Sequence, residues 1–246
     1  MAMKKADRYR ERYGKTPARR EGLPDRLNKV LQIFANHNFH RILDIGCGDG
    51  NFSLLLKEAS RAEEVYGVDI SSKAVELANA AGVKAFQTDI DEEPLPFEKD
   101  SFDAIFCGEV VEHLLDPDHL LDEIHRTLKL GGIAIITIPN LAAWYNRFVL
   151  LLGFQPFWTD VSYKHDLGKL IYKLGSGGGH LRSFTYRALK ELLLLHQFRI
   201  AKVMGSVNYL LPVKIPRFLY ILDRMMSVYP ALSSNPIFVV QKREAG

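Results

Sequence analysis

Ile42-Leu43-Asp44-Ile45-Gly46-Cys47-Gly48-Asp49-Gly50-Asn51-Phe52 is the stretch on which the fold turns. A short apolar run ends in an acid and then in three glycines at alternate positions, and Phe52-Ser53-Leu54-Leu55-Leu56 continues as an amphipathic stretch. A strand that opens through glycines into a helix is how a parallel sheet brings backbone against a nucleotide-like ligand. Upstream, Pro24 to Asn36 carries Leu27, Val30, Leu31 and Phe34 at helical spacing, which predicts an amphipathic helix packed on that sheet.

Downstream the same unit repeats in kind. Residues 41 to 45 read as the first strand and 51 to 60 as its helix. Glu64 to Asp69 is a second strand ending in an acid, and Ser71 or Ser72 caps a helix through Ala80. Lys84 to Thr88 is a third strand, followed by Asp89 and a loop marked by Pro94 and Pro96; Ser101 to Cys107 is the fourth. A helix from Pro117 to Lys129 is expected to stop at Gly131-Gly132, where strand five, Ile133 to Ile138, begins. Strands alternating with helices at this pitch imply right-handed crossovers and a doubly wound α/β fold with a parallel sheet.

Beyond Asn140 the pattern changes. Residues 141–184 are rich in aromatics (Trp144, Tyr145, Phe148, Phe154, Phe157, Trp158, Tyr163 and Tyr172) and include Gly175-Ser176-Gly177-Gly178-Gly179. They read as an inserted substrate cap over the sheet's carboxyl edge, with the glycine run as its hinge. Thr185 caps a helix to about His196, and Phe198 to Met204 and Ile237 to Gln241 are strands. Between those strands, 207–231 is apolar and proline-broken, a pocket wall, a dimer surface or a membrane-facing patch.

With 246 residues and 47% hydrophobic content, the chain can bury one sizeable core, so residues 1–246 are expected to form a single domain. The net charge of +3 is uneven: Lys4, Lys5, Arg8, Arg10, Arg12, Lys15, Arg19 and Arg20 make residues 1–21 a basic arm, without the apolar core of a secretory signal. Cys47 and Cys107 have no partner at metal-ligand spacing, which argues against a disulfide framework or zinc site and for a reduced, cytoplasmic setting. No apolar stretch reaches the roughly 20 uninterrupted residues of a membrane span, leaving peripheral membrane contact open.

The site chemistry begins at the turn. Gly46, Gly48 and Gly50 make G-x-G-x-G, not the G-x-G-x-x-G of dinucleotide oxidoreductases. S-adenosylmethionine has no pyrophosphate to seat; it needs backbone room for a zwitterionic tail and an acid for its amine. Asp44 is placed for that amine or for ordering the turn. Asp69 can accept from both ribose hydroxyls and Asp89 from the adenine amino group, with Ile70 and Ile90 on the purine faces. Gly108, beyond the fourth strand, joins this cofactor-binding set.

Leu43-Asp44-Ile45-Gly46-Cys47-Gly48-Asp49-Gly50, Gly67-Val68-Asp69-Ile70-Ser71, Thr88-Asp89-Ile90, Phe102-Asp103-Ala104-Ile105, Glu109-Val110-Val111-Glu112-His113 and Leu128-Lys129-Leu130-Gly131-Gly132 resemble, in order, the motifs of the class I S-adenosylmethionine-dependent methyltransferases. The resemblance covers about residues 40 to 140, with a weaker stretch at His180-Leu181-Arg182-Ser183-Phe184-Thr185. It implies a Rossmann-like, seven-stranded sheet with an antiparallel last strand, which suits Ile237 to Gln241. Leu130 departs from it, because relatives usually carry proline before the glycine pair.

If the segment after strand four is a helical turn, Glu109, Glu112 and His113 share one face, an oxygen-rich set suited to Mg²⁺ or Mn²⁺. The segment is similar to those of the small-RNA 2′-O-methyltransferases and the polyprenyl quinone O-methyltransferases, which implies a metal on the matching residues. By likeness to the RNA group, His180 completes the set. Without a metal, His113 is the general base and Glu112 orients it. These readings point to O-methylation of a small or lipophilic hydroxylated acceptor. The alternatives are an RNA 2′-O-methyltransferase, motivated by the basic arm, and a non-catalytic donor-binding protein. An oxidoreductase would be told apart by a preference for NAD.

Overall fold

In the computed structural model, residues 22–162, 165, 167–171, 179–207 and 217–243 are described. The basic arm and Gly175 to Gly178 of the expected hinge lie outside them. Helix α1 (Asp25–Ala35) precedes β1 (Arg41–Ile45), α2 (Asn51–Ser60), β2 (Glu64–Asp69), α3 (Ser72–Ala81), β3 (Lys84–Gln87) and β4 (Phe102–Gly108). A 3₁₀ turn (Val111–His113) leads to α4 (Pro117–Thr127) and β5 (Leu128–Thr137), then α5 (Trp144–Leu151), α6 (Tyr186–Leu195), β6 (Phe198–Ser206), α7 (Arg217–Met226) and β7 (Asn235–Lys242).

The strands form one seven-stranded sheet in the order β3-β2-β1-β4-β5-β7-β6. β1 to β5 are mutually parallel, and β7 runs antiparallel between β5 and β6, as the resemblance implies. Strand side chains alternate between two apolar layers. Leu43, Ile105, Cys107, Ala134, Ile136, Phe238 and Val240 pack with Leu120, Leu121 and Ile124 of α4 and Leu189 and Leu193 of α6. Ile42, Ala104, Phe106, Ile133, Ile135, Ile237 and Val239 pack with Val30, Leu31, Ile33 and Phe34 of α1 and Leu56 of α2. Helices therefore cover both faces, and each fully buried Leu, Ile or Phe contributes about 1.5–3 kcal/mol. The strand ends leave the carboxyl edge as the face where ligand chemistry can collect.

Two local expectations change. α4 ends at Thr127, before Gly131-Gly132, and β5 starts at Leu128. The reason is a ladder irregularity: Leu128 pairs with Phe102, but the next matched pair is Ile133 with Ala104, and Gly131 takes φ +78 inside the excursion. Second, Glu109 adopts φ +58 and only Val111–His113 coil, so no helical turn joins Glu109 to His113. Within 207–231, α7 is the described helix.

The segment 141–184 leaves and returns at one place, since Asn140 bridges Phe184 and the Leu141 amide donates to the Phe184 carbonyl at 2.8 Å. Helix α5 lies within it. Asn146 hydrogen-bonds the Phe157 amide at 2.8 Å, and buried Lys169 donates to the carbonyls of Pro156 and Thr159, which ties the segment to itself. Among the described residues no helix is long and apolar enough to cross a membrane. Cys47 and Cys107 are buried free thiols.

Candidate functional site

The glycine turn is held by the strand beside it. The amides of Gly46 and Cys47 both donate to the Val68 carbonyl, at 2.8 and 3.1 Å, and the Gly50 amide donates to the Cys47 carbonyl at 3.0 Å. Gly46 has φ +76 and lies so close to the segment after β4 that a Cβ there would stand 2.6 Å from Val110 Cγ2. Gly50, at φ +78, is the residue that caps α2. Asp69 is the pivot: its Oδ2 accepts the Gly48 amide at 3.0 Å and its Oδ1 the Ser71 amide at 2.9 Å, so one carboxylate joins the turn to the start of α3.

A cleft of about 120 Å³ opens over this turn, lined by Gly46, Asp69, Ile70, Asp89, Ile90, Val110 and His113 among others. Five of the nine residues expected to bind the donor therefore line one cavity. Asp91 helps frame it, with Oδ1 accepting the Leu115 and Asp116 amides at 2.9 and 3.1 Å.

The other four stand behind the wall. Gly48 and Gly50 shape the turn. Asp44 is buried and accepts from Ser53 Oγ at 2.5 Å, which ties β1 to the first turn of α2. Burial pushes its carboxyl up to about 7, the Ser53 bond opposes this, and Asp69 adds to it. Gly108 provides clearance, because a Cβ there would meet Phe106 Cζ at 2.4 Å and Arg26 Nη1 at 3.1 Å.

The expected metal and base residues separate into two groups. Glu109 is clamped apart: Asn235 Nδ2 stands 3.2 Å from each of its carboxylate oxygens, Thr137 Oγ1 donates at 3.3 Å, and Arg26 Nε lies 3.8 Å away. Arg26 Nη1 also donates to Thr137 Oγ1 at 2.9 Å. Glu112, His113 and His180 do converge, with ligand atoms within 4.8 Å of one another. The Glu112 carbonyl accepts the Leu181 and Arg182 amides at 2.8 and 3.0 Å, which seats the returning insertion on the 3₁₀ turn and brings His180 with it.

Within that group Glu112 is 1% exposed, and neither carboxylate oxygen has a hydrogen-bond partner. Burial and the Glu109 carboxylate hold it well above the usual carboxylate range. His180 Nε2 is 3.8 Å from Glu112 Oε1, and the two imidazole rings lie 4.7 Å apart. Because a carbonyl only accepts, the contacts of His180 Nδ1 with the Trp158 carbonyl at 2.8 Å and of His113 Nδ1 with the Gly179 carbonyl at 3.4 Å put protons on both Nδ1 atoms. In the neutral imidazoles the lone pairs then reside on Nε2. His113 is thus oriented by Gly179 and not by Glu112, contrary to the expectation, since the Glu112 oxygens make no hydrogen bond. A gap of about 10 Å³ beside Glu112 and His180, walled by Leu141, Phe157, Trp158 and Arg182, is about the size of one water or ion.

The sequence reading misses Arg26, Thr137 and Asn235. Arg26 had a faint signal, since it stands four residues before Val30 on the apolar face of α1. Asn235 had none, as 126 residues separate it from Glu109.

Comparison with known proteins agrees with this geometry. The family described as "Methyltransferase domain" matches residues 43–136. A ubiquinone biosynthesis O-methyltransferase of Alkalilimnicola ehrlichii is 35% identical over 124 residues, 48% of this chain and 49% of that protein, so the match spans about half the relative's length. A Bordetella avium protein of the same name is 29% identical over 206 residues, 78% of this chain and 82% of the relative. The solved structure of a Thermotoga maritima S-adenosylmethionine-dependent methyltransferase shares the fold at a TM-score of 0.60 and 20% identity, covering 89% of this chain and 90% of its own. In its ordered motifs, its sheet topology and these relatives, the chain is similar to the class I S-adenosylmethionine-dependent methyltransferases, with the family match confined to residues 43–136.

Proposed function

We propose that this protein transfers the methyl group of S-adenosylmethionine to a hydroxyl oxygen of a small, lipophilic acceptor. The observation that carries the reading is His113, which lines the donor cleft and also belongs to the Glu112–His113–His180 group beneath the insertion. The names of the quinone-pathway relatives support oxygen as the acceptor atom and a lipophilic acceptor.

In this reading the donor lies along the glycine turn with its ribose at Asp69 and its adenine between Ile70 and Ile90. Residues 141–184 act as the cap, and Leu141, Phe157 and Trp158 exclude water from the acceptor side. The acceptor oxygen attacks the sulfonium methyl in line, the O–C bond forming as the C–S bond breaks, and, where no metal is bound, the hydroxyl proton passes to His113 Nε2. Orientation supplies most of the acceleration and the base about 10²–10⁴-fold.

The Glu112–His113–His180 set fits a divalent ion: a buried carboxylate without a hydrogen-bond partner faces two imidazoles whose Nδ1 protons are turned to carbonyls. With Glu109 clamped elsewhere, the set has two nitrogens and one carboxylate, which favours Mn²⁺ over Mg²⁺. An ion held there would lower the pKa of the acceptor hydroxyl.

The test is transfer of radiolabelled methyl from S-adenosylmethionine to a catechol bearing an isoprenoid tail, with an RNA duplex and no acceptor as comparisons. The catechol should be labelled, and His113→Ala should cut kcat by about 100-fold or more. Labelling of the RNA alone would move the reading to an RNA 2′-O-methyltransferase. Donor binding with no product from any acceptor would leave a non-catalytic binding protein.

A further inference from the structure

Of the 21 large apolar side chains that stand exposed among the described residues, 15 fall in two stretches, 148–171 and 218–229. The two meet at α5 and α7: Trp144 Nε1 donates to Asp223 Oδ1 at 2.8 Å and the Trp144 amide to the Leu232 carbonyl at 2.9 Å. One turn along α5, Phe148 contacts the Trp144 ring, and Leu151 and Leu152 continue outward at 81% and 65% exposure. On α7, Phe218, Ile221 and Met225, followed by Val228, recur every three or four residues and are all exposed, while Leu219, Leu222, Asp223 and Met226 form the partly covered inner side. A helix apolar on its inner and outer faces alike is not built to face water.

Among the described residues, the exposed charges around this face have one sign. Arg147 and Arg224 are exposed, whereas the neighbouring acids turn inward, Asp223 onto Trp144 and Asp160 to within 3.8 Å of buried Lys169. In sequence, Lys214 comes three residues before Arg217, the first residue of α7. A second copy of the chain is a poor occupant, because a two-fold contact would set this basic face against itself with no exposed acid between the arginines among the described residues.

We propose that the face formed by α5 and α7 docks on an anionic lipid surface. Helix α7 lies in the interface plane, Phe218, Ile221, Met225 and Leu151 enter the acyl boundary, and the arginines reach phosphate headgroups. The proposal goes beyond the methylation reading and stands whatever the acceptor is. Contact through two short helices and few charges makes the binding reversible and salt-sensitive.

The experiment is co-sedimentation of the full chain with vesicles of phosphatidylcholine alone and of equimolar phosphatidylcholine and phosphatidylglycerol. The wild type should sediment with the anionic vesicles, about tenfold more weakly with the neutral ones, and less in high salt. The variants Ile221→Asp/Met225→Asp and Leu151→Asp/Leu152→Asp should each lose about tenfold or more of that binding while S-adenosylhomocysteine affinity stays unchanged, which shows that they fold. A wild type that stays in the supernatant with both vesicles, including one that self-associates through this face, overturns the proposal, as do folded variants of both helices that sediment like the wild type.

Discussion

At the scale of single residues, the proposed donor site is made of carboxylates whose surroundings set their work. Asp44 is the clearest case. Its burial raises the carboxyl to about 7, so it holds a proton more readily in the fold than in the unfolded chain. Its contribution to folding stability is therefore present below the ordinary carboxylate value and lost as pH rises through about 7. A donor ammonium favours the ionised form, so the sign for binding is opposite. S-adenosylhomocysteine affinity should rise as pH increases from about 6 to about 8, and Asp44→Asn should flatten that rise. An equal slope in the variant would remove Asp44 from contact with the amine. Asp44, Asp69 and Asp89 were legible in the sequence because each stands at or just beyond the carboxyl end of a strand of the apolar pattern. The Arg26, Thr137 and Asn235 clamp was not, because its members meet only after the sheet has assembled. Glu109 shows the limit of spacing arguments: i, i+3, i+4 converge only on a helix, and φ +58 at Glu109 breaks that premise.

At the scale of elements, close approach explains residues that composition leaves silent. β2 passes under the glycine turn at Gly67, where a Cβ would stand 2.6 Å from Cys47 Sγ. Gly67→Ala should cost about 1–3 kcal/mol in urea unfolding, and Cys47→Ala in the same chain should recover part of that loss. Additive losses would refute the contact as the cause. α4 and α6 are clasped where His196 meets Asp122 at 2.7 Å and Asp118 at 2.9 Å. Burial disfavours the imidazolium, but the two carboxylates outweigh it and raise the His196 pKa. That stabilisation is complete below the ordinary histidine value and lost as pH climbs through the raised one. With both acids exposed, it should amount to less than about 1 kcal/mol, read as the difference between wild type and His196→Ala across that window. A variant with the same pH dependence as the wild type would show that the clasp carries no charge. The helices and most strands were readable from periodicity, whereas the start of β5 was hidden: the ladder slips around Gly131, so glycines that look like a helix stop lie inside a strand.

At the scale of the molecule, the parallel half of the sheet presents the glycine turn, Asp69 and the loop after β3 at one edge, and the antiparallel β7 supplies Asn235 to hold Glu109. The insertion closes on that edge at Asn140 and Phe184 and places His180 beside Glu112 and His113. The central claim is that the donor occupies the cleft over the glycine turn with Asp69 as its pivot. The most direct test is a calorimetric titration of wild type and Asp69→Ala with S-adenosylhomocysteine. The account predicts one-to-one binding by the wild type and a loss of about tenfold or more, at least 1.4 kcal/mol, in the variant. No heat from the wild type, or equal affinity in the two proteins, would contradict it.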